Sequence, residues 1–196
     1  MLLVTTWACV TPPPANPEDA CRIFGERLDW YRAARASEDR WGLAASVQLA
    51  VIHQESSFRA QARPPRARFL WIFPGARPSS AYGYGQVTDS TWERYRRQNG
   101  RAGADRDDFS DVTDFIGWYG QEIRRTAGLA PSDTRSLYLA YHEGPAGFLR
   151  GTHESKAWLG RVAARVAQRA ERYEQQLRTC RPELEARIRG PWWWPF

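Results

Sequence analysis

Apolar residues recur every three or four positions along this chain, and one-by-one alternation of apolar and polar residues is scarce. That spacing gathers them on one face of a helix with 3.6 residues per turn and denies a half-buried strand its period of two. Asn16 followed by Pro17 reads as an N-cap with proline in the first turn, and Cys21, Phe24 and Leu28 then share a face. Asp29 caps a second helix over 29–40, with Trp30, Ala33, Ala34 and the adjoining Trp41 apolar. Residues 43–55 carry Val47, Ala50 and Val51 with no Gly or Pro, which predicts a buried helix. Further helices are expected over 89–99, begun by Asp89 as cap and ended by Gly100, over 111–126, and over 133–141. From 156 to about 177, Leu159, Val162, Val166, Tyr173 and Leu177 mark a long closing helix. Two stretches break the pattern. Residues 63–78 hold Pro64, Pro65, Pro74 and Pro78, which excludes a continuous helix, and 101–110 is a polar, acidic loop. The expected class is mainly α, a single domain with little or no sheet.

A chain of 196 residues can bury one sizeable core. No apolar run approaches the roughly 18 residues of a membrane span. The net charge is +6, and Lys156 is the one lysine among 28 cationic side chains. So many arginines favour an anionic partner, and nucleic acid, anionic lipid and cell-wall polymer all qualify. Nucleic acid is the weakest of these, because there is no DNA-binding motif and acids are interleaved through the helices.

Three cysteines, Cys9, Cys21 and Cys180, have no metal-ligand spacing. Cys21 and Cys180 flank the body of the chain and are expected to pair in an oxidising compartment. The alternative is three buried or unpaired thiols. A loop that long contributes roughly 5 kcal/mol on the chain-entropy model. Ala8-Cys9 followed by Pro12-Pro13-Pro14 resembles the end of a bacterial lipoprotein signal, which makes Cys9 a candidate for lipidation. The departures are Thr6 and the lack of a basic residue before Cys9. The final Gly190-Pro191-Trp192-Trp193-Trp194-Pro195-Phe196 suits a membrane interface, or equally folds back on the domain. The expected division is a signal remnant and tether over 1–16, one domain over 17–180 with a motif-bearing core over 41–173, and an Arg/Trp-rich tail over 181–196.

Glu55 ends the buried helix, in His53-Gln54-Glu55-Ser56-Ser57. Low-dielectric surroundings penalise a carboxylate there, and the negative end of the helix dipole adds to that. The dipole is worth only about 0.3–1 kcal/mol, so desolvation must supply most of any rise. A carboxyl still protonated near neutrality suits general-acid cleavage of a glycosidic bond. The alternative is an exposed helix-end Glu.

Downstream lie Ser79-Ser80-Ala81-Tyr82-Gly83-Tyr84-Gly85-Gln86 and Ala140-Tyr141-His142-Glu143-Gly144-Pro145. With Glu55-Ser56 these resemble, in order, three motifs of the soluble lytic transglycosylase (SLT) family: Glu-Ser at a helix end, Ser before Gly-x-x-Gln, and Ala-Tyr-Asn-x-Gly-Pro. The resemblance spans about 41–173 and implies a lysozyme-like (SLT or goose-type) fold. It makes Glu55 the sole catalytic acid/base and Gln86 a cleft residue. Ser79 is the first choice for the serine that positions the substrate N-acetyl group, with Ser80 second. Tyr141 is then the cleft tyrosine, and Gly83 and Gly144 are points of close backbone approach. There are three departures: His142 stands for Asn, Gly85 for a common Met, and 63–78 is an insertion rich in Arg and Pro. Tyr82, Tyr84, Trp92 and Tyr141 are candidates for packing on sugar faces, or are core.

The resemblance further implies cleavage of the β-1,4 bond between N-acetylmuramic acid and N-acetylglucosamine in peptidoglycan. Glu55 protonates the leaving oxygen and then deprotonates the muramoyl 6-hydroxyl, which closes to a 1,6-anhydro sugar. The alternatives are a hydrolytic muramidase on the same fold, with Glu143 as second carboxylate, and a non-catalytic cell-wall-binding protein. No cofactor or metal is expected, since His53-Gln54-Glu55 and His142-Glu143 lack the further ligands of a zinc site. The expected partner is peptidoglycan glycan strands, bound by a monomer in the bacterial periplasm, with lipid on Cys9 and the Trp tail as candidate membrane attachments against a plain N-terminus and a tail folded on the domain.

Overall fold

The computed structural model describes residues 11–65, 68–69, 73–74 and 79–189, the four strand residues by backbone alone. The candidate lipid site Cys9, the Trp-rich end 190–196 and most of the 63–78 insertion lie outside them. Eight helices dominate the described residues: α1 (Ala20–Glu26), α2 (Leu28–Trp41), α3 (Ala45–Ser56), α4 (Asp89–Gln98), α5 (Phe109–Ala127), α6 (Thr134–Glu143), α7 (Pro145–Leu149) and α8 (Ala157–Arg189). Between α3 and α4 lie β1 (Arg68–Phe69) and β2 (Phe73–Pro74), an antiparallel pair in which Arg68 faces Pro74 and Phe69 faces Phe73. No helix among the described residues is long and apolar enough to cross a membrane.

Helix α3 is the axis of the molecule. Every residue from Ala45 to Ile52 is buried, because α2, α5 and α8 surround it. Such a helix is apolar or small on all sides. Its largest buried polar residue, Gln48, donates through Nε2 to the Leu43 carbonyl at 2.8 Å and the Ala34 carbonyl at 3.2 Å. Helices α2 and α5 approach closely at Gly117, where a Cβ would lie 2.3 Å from Ser37 Oγ. Ser37 in turn donates to the Thr113 carbonyl at 2.7 Å. The Trp30 and Phe109 rings stack with centroids 3.9 Å apart. Asp114 ties α2, α4 and α5 together, accepting from Tyr95 Oη at 2.6 Å and Trp41 Nε1 at 2.8 Å.

Several helix starts differ from the sequence reading. Helix α1 begins at Ala20, and Asp19 rather than Asn16 is its N-cap, accepting from the Arg22 amide at 3.0 Å. Asn16 instead accepts from the Glu18 amide in the turn before it. Asp29 and Asp89 lie inside the first turns of α2 and α4, where their charge opposes the positive helix end; Arg27 and Thr88 occupy the N-cap positions. Asp108 starts α5 earlier than expected, accepting from the Asp111 amide.

The largest difference is the end of α8. The expected tail from 181 onward is helix as far as Arg189, continuing through Pro182. An interior proline costs about 3 kcal/mol. Tertiary contacts offset it: Leu184 is buried, and Glu185 Oε1 accepts from Tyr31 Oη at 2.7 Å and Arg35 Nε at 3.1 Å. Just before this segment, Cys180 is disulfide-bonded to Cys21, with Cα atoms 5.9 Å apart across 159 positions of sequence.

Candidate active site

A cleft of about 630 Å³ opens where the end of α3, the 79–88 loop, α5 and the α6–α7 junction converge. Its wall includes Glu55, Ser79, Gln86, Tyr141, His142 and Gly144 from the sequence reading, together with Glu143. Thr88, Thr91, Phe115 and Tyr119 complete much of the remainder.

Glu55 sits in the last turn of α3, and its surroundings are largely protein. Burial pushes its carboxyl up to about 7, and one hydrogen bond pulls the other way. The donor is Tyr138, whose hydroxyl lies 2.7 Å from Glu55 Oε1. With Oε1 so engaged, Oε2 is left to carry the acid proton. Immediately beyond, Ser57 (φ 50°) and Phe58 (φ 60°) both adopt left-handed backbone. Each such non-glycine residue costs on the order of 1–3 kcal/mol. Full burial of Phe58 against Trp30 and His53 holds the turn, and with it the direction of Glu55.

The 79–88 loop is shaped by backbone. Gly83 has φ +80°, and a Cβ there would lie 1.9 Å from the Arg106 carbonyl oxygen. Its close approach is therefore to a neighbouring loop and not to the cleft. Gln86 has φ 48° and donates through Nε2 to the Ala62 and Gly83 carbonyls, both at 2.9 Å. Tyr141 donates to the Gly85 carbonyl at 2.8 Å, and a Cβ on Gly85 would meet that hydroxyl at 3.0 Å. Gly85 thus makes room for Tyr141, and burial raises that phenol well above its ordinary value.

Other expected site residues serve elsewhere. Ser79 lines the cleft, but the Ser80 hydroxyl accepts from the Asp89 amide at 3.0 Å, satisfying the first turn of α4. Tyr82 does not line the cleft; it donates to Asp107 at 2.8 Å, with the Arg63 guanidinium 4.3 Å from its ring centre. Tyr84 and Trp92 are buried in the core. His53 is also structural, its Nδ1 lying 2.8 Å from Tyr173 Oη.

At the α6–α7 end of the cleft the side chain of Glu143 is 4% exposed. Both its oxygens meet Lys156 Nζ, at 2.7 and 2.8 Å, and Thr152 Oγ1 also donates to it. These bonds hold its carboxyl down at about 2. An ionised carboxylate only accepts, so the 3.0 Å contact with His142 requires the imidazole proton on Nδ1.

Tyr138 escaped the sequence reading, although it lies three residues before Tyr141 on one helix and so shares a face with it. Tyr119 and Phe115, from the middle of α5, lacked any motif to mark them. Among the described residues, no three His, Cys, Asp or Glu side chains are grouped to hold a metal ion.

The profile of one protein family, described as the transglycosylase SLT domain, matches residues 1–180. The chain belongs to the transglycosylase SLT domain family. No curated protein matches it. The mainly helical architecture is that of an SLT domain of lysozyme-like type. SLT membership supports a transglycosylase-type function with peptidoglycan as substrate.

Proposed function

We propose that this SLT domain breaks the β-1,4 bond between N-acetylmuramic acid and N-acetylglucosamine, with Glu55 acting first as acid and then as base. The observation that carries this reading is the desolvated Glu55 carboxyl, raised to about 7 in the wall of a sugar-sized cleft. An acid of that strength still holds its proton near neutrality and gives it up readily, as the chemistry requires. The proton on Oε2 passes to the glycosidic oxygen as the bond from that oxygen to the muramoyl C1 breaks. The resulting carboxylate keeps the hydrogen bond from Tyr138, which stabilises its charge. It then takes the proton of the 6-hydroxyl while O6 bonds to C1. Glu55 ends protonated, a 1,6-anhydro ring is formed, and no water is consumed.

Glu143 bears on the choice between this route and hydrolysis. Held near 2 by Lys156 and Thr152, it is a very weak base at neutral pH and poorly suited to activating water. A passive binding groove would have no use for a carboxylate kept uncharged by burial. The Cys21–Cys180 bond favours an oxidising compartment. The proposal puts the protein in the bacterial periplasm, one such compartment, with membrane attachment through Cys9 as part of it.

The test is digestion of purified sacculi followed by mass spectrometry of the released muropeptides. The wild type is expected to release anhydro products, one water lighter than the products of hydrolysis, and Glu55→Gln to release none. Reducing-end products, or undiminished lysis by Glu55→Gln, would overturn the proposal.

A further inference from the structure

Trp158 lies outside the cleft wall, yet two links bind it to the rim. Its ring meets the cleft residue His142 with centroids 5.4 Å apart and planes at 78°. Two positions earlier, Lys156 closes the ion pair with the cleft residue Glu143. The next residue, Leu159, is fully buried, so the first turn of α8 is fixed to the core on its inner side. Trp158 is 49% exposed, one of two large apolar residues left in solvent among the described residues. In a perpendicular pair of rings, the imidazole can cover at most one indole face. Trp158 is thus left about half in solvent, on a helix fixed to the core, beside the cleft rim.

We propose that Trp158 is a further sugar-binding subsite, on which an N-acetylhexosamine ring of the glycan strand stacks after the strand has passed His142. This rests on the reading of the cleft as a glycan site. One face of a pyranose carries C–H bonds while its hydroxyls point outward from the ring edge. A partly exposed indole on a backbone already fixed to the core suits that surface with little entropy left to lose. The polymer continues in both directions from the bond being cleaved, so a contact just past the rim is within its reach.

The test uses Glu55→Gln protein, which binds without cleaving, and measures its affinity for a chitin hexasaccharide and a chitin disaccharide by calorimetry. Adding Trp158→Ala is expected to weaken hexasaccharide binding roughly tenfold and leave disaccharide binding unchanged, whereas Trp158→Phe retains part of the gain. Because the side chain is exposed, thermal melting of Trp158→Ala should match that of its parent, and this is checked on the same sample. Equal loss on both lengths would mean that Trp158 merely steadies His142, and no loss on the hexasaccharide would mean that the indole is idle; either overturns the proposal. If the Glu55→Gln protein with Trp158 intact binds neither sugar, the glycan reading of the cleft falls together with this one.

Discussion

Replacing Glu55 by Gln should stabilise the protein, and only at high pH. Burial holds the carboxyl at about 7 against an ordinary 4.5, so the charged form in the folded state is penalised by roughly 3 kcal/mol. The folded state therefore binds the proton more tightly than the unfolded chain. Below pH 4.5 both states are protonated and Glu55→Gln changes little. Between pH 4.5 and about 7, unfolding releases a proton, so wild-type stability falls as pH rises. The neutral amide of Gln escapes that fall while its oxygen can still accept from Tyr138. At pH 8.5 the variant should be more stable by up to roughly 3 kcal/mol, or roughly 6–12 °C in Tm for a chain of this size. Thermal and urea melts followed by tryptophan fluorescence at pH 4 and pH 8.5 measure the difference. Other titrating groups cancel between the two proteins. A stability difference that does not grow with pH would refute the desolvation argument, as would a variant less stable than wild type at pH 8.5.

Tyr138→Phe removes the hydrogen bond that holds the Glu55 carboxyl down, so the alkaline limb of the activity profile should move up by roughly one pH unit. Sacculus turbidity assays across pH 5–9 check this, and an unmoved or lowered limb would count against the pairing. Reduction of Cys21–Cys180, or Cys180→Ser, should lower the unfolding free energy by about 2–5 kcal/mol. Urea melts with and without dithiothreitol measure that loss, and identical melts would show that the bond contributes nothing.

Much of the helical skeleton was readable from spacing alone. The run from Leu43 to Glu55 announced a buried helix, and Gly100 marked the end of α4, because these signals act within a turn or two of chain. The same local logic failed at the end of α8. Proline at 182 argues for a break, and the burial of Leu184 together with the bonds of Glu185 to residues about 150 positions away overrules it.

The cleft divides in the same way. Glu55, Gln86, Tyr141 and His142 could be picked out by motif. Ser80 and Tyr82 stand outside the cleft wall, Ser80 on the Asp89 amide and Tyr82 on Asp107, partners that the motif does not encode. Tyr138 looked like any tyrosine on the core face of a helix until α3 brought a carboxylate to within 2.7 Å of it.

The chain alone determined where most of its helices run, which cysteines could meet across the domain, and that a glutamate would end the central helix. Periodicity, caps and residue chemistry are written along the backbone. Tertiary structure decided that Glu55 holds its proton near neutrality while Glu143, in the same cleft wall, does not. Burial and pairing depend on every side chain packed around a carboxyl, and those neighbours come from helices far apart in sequence.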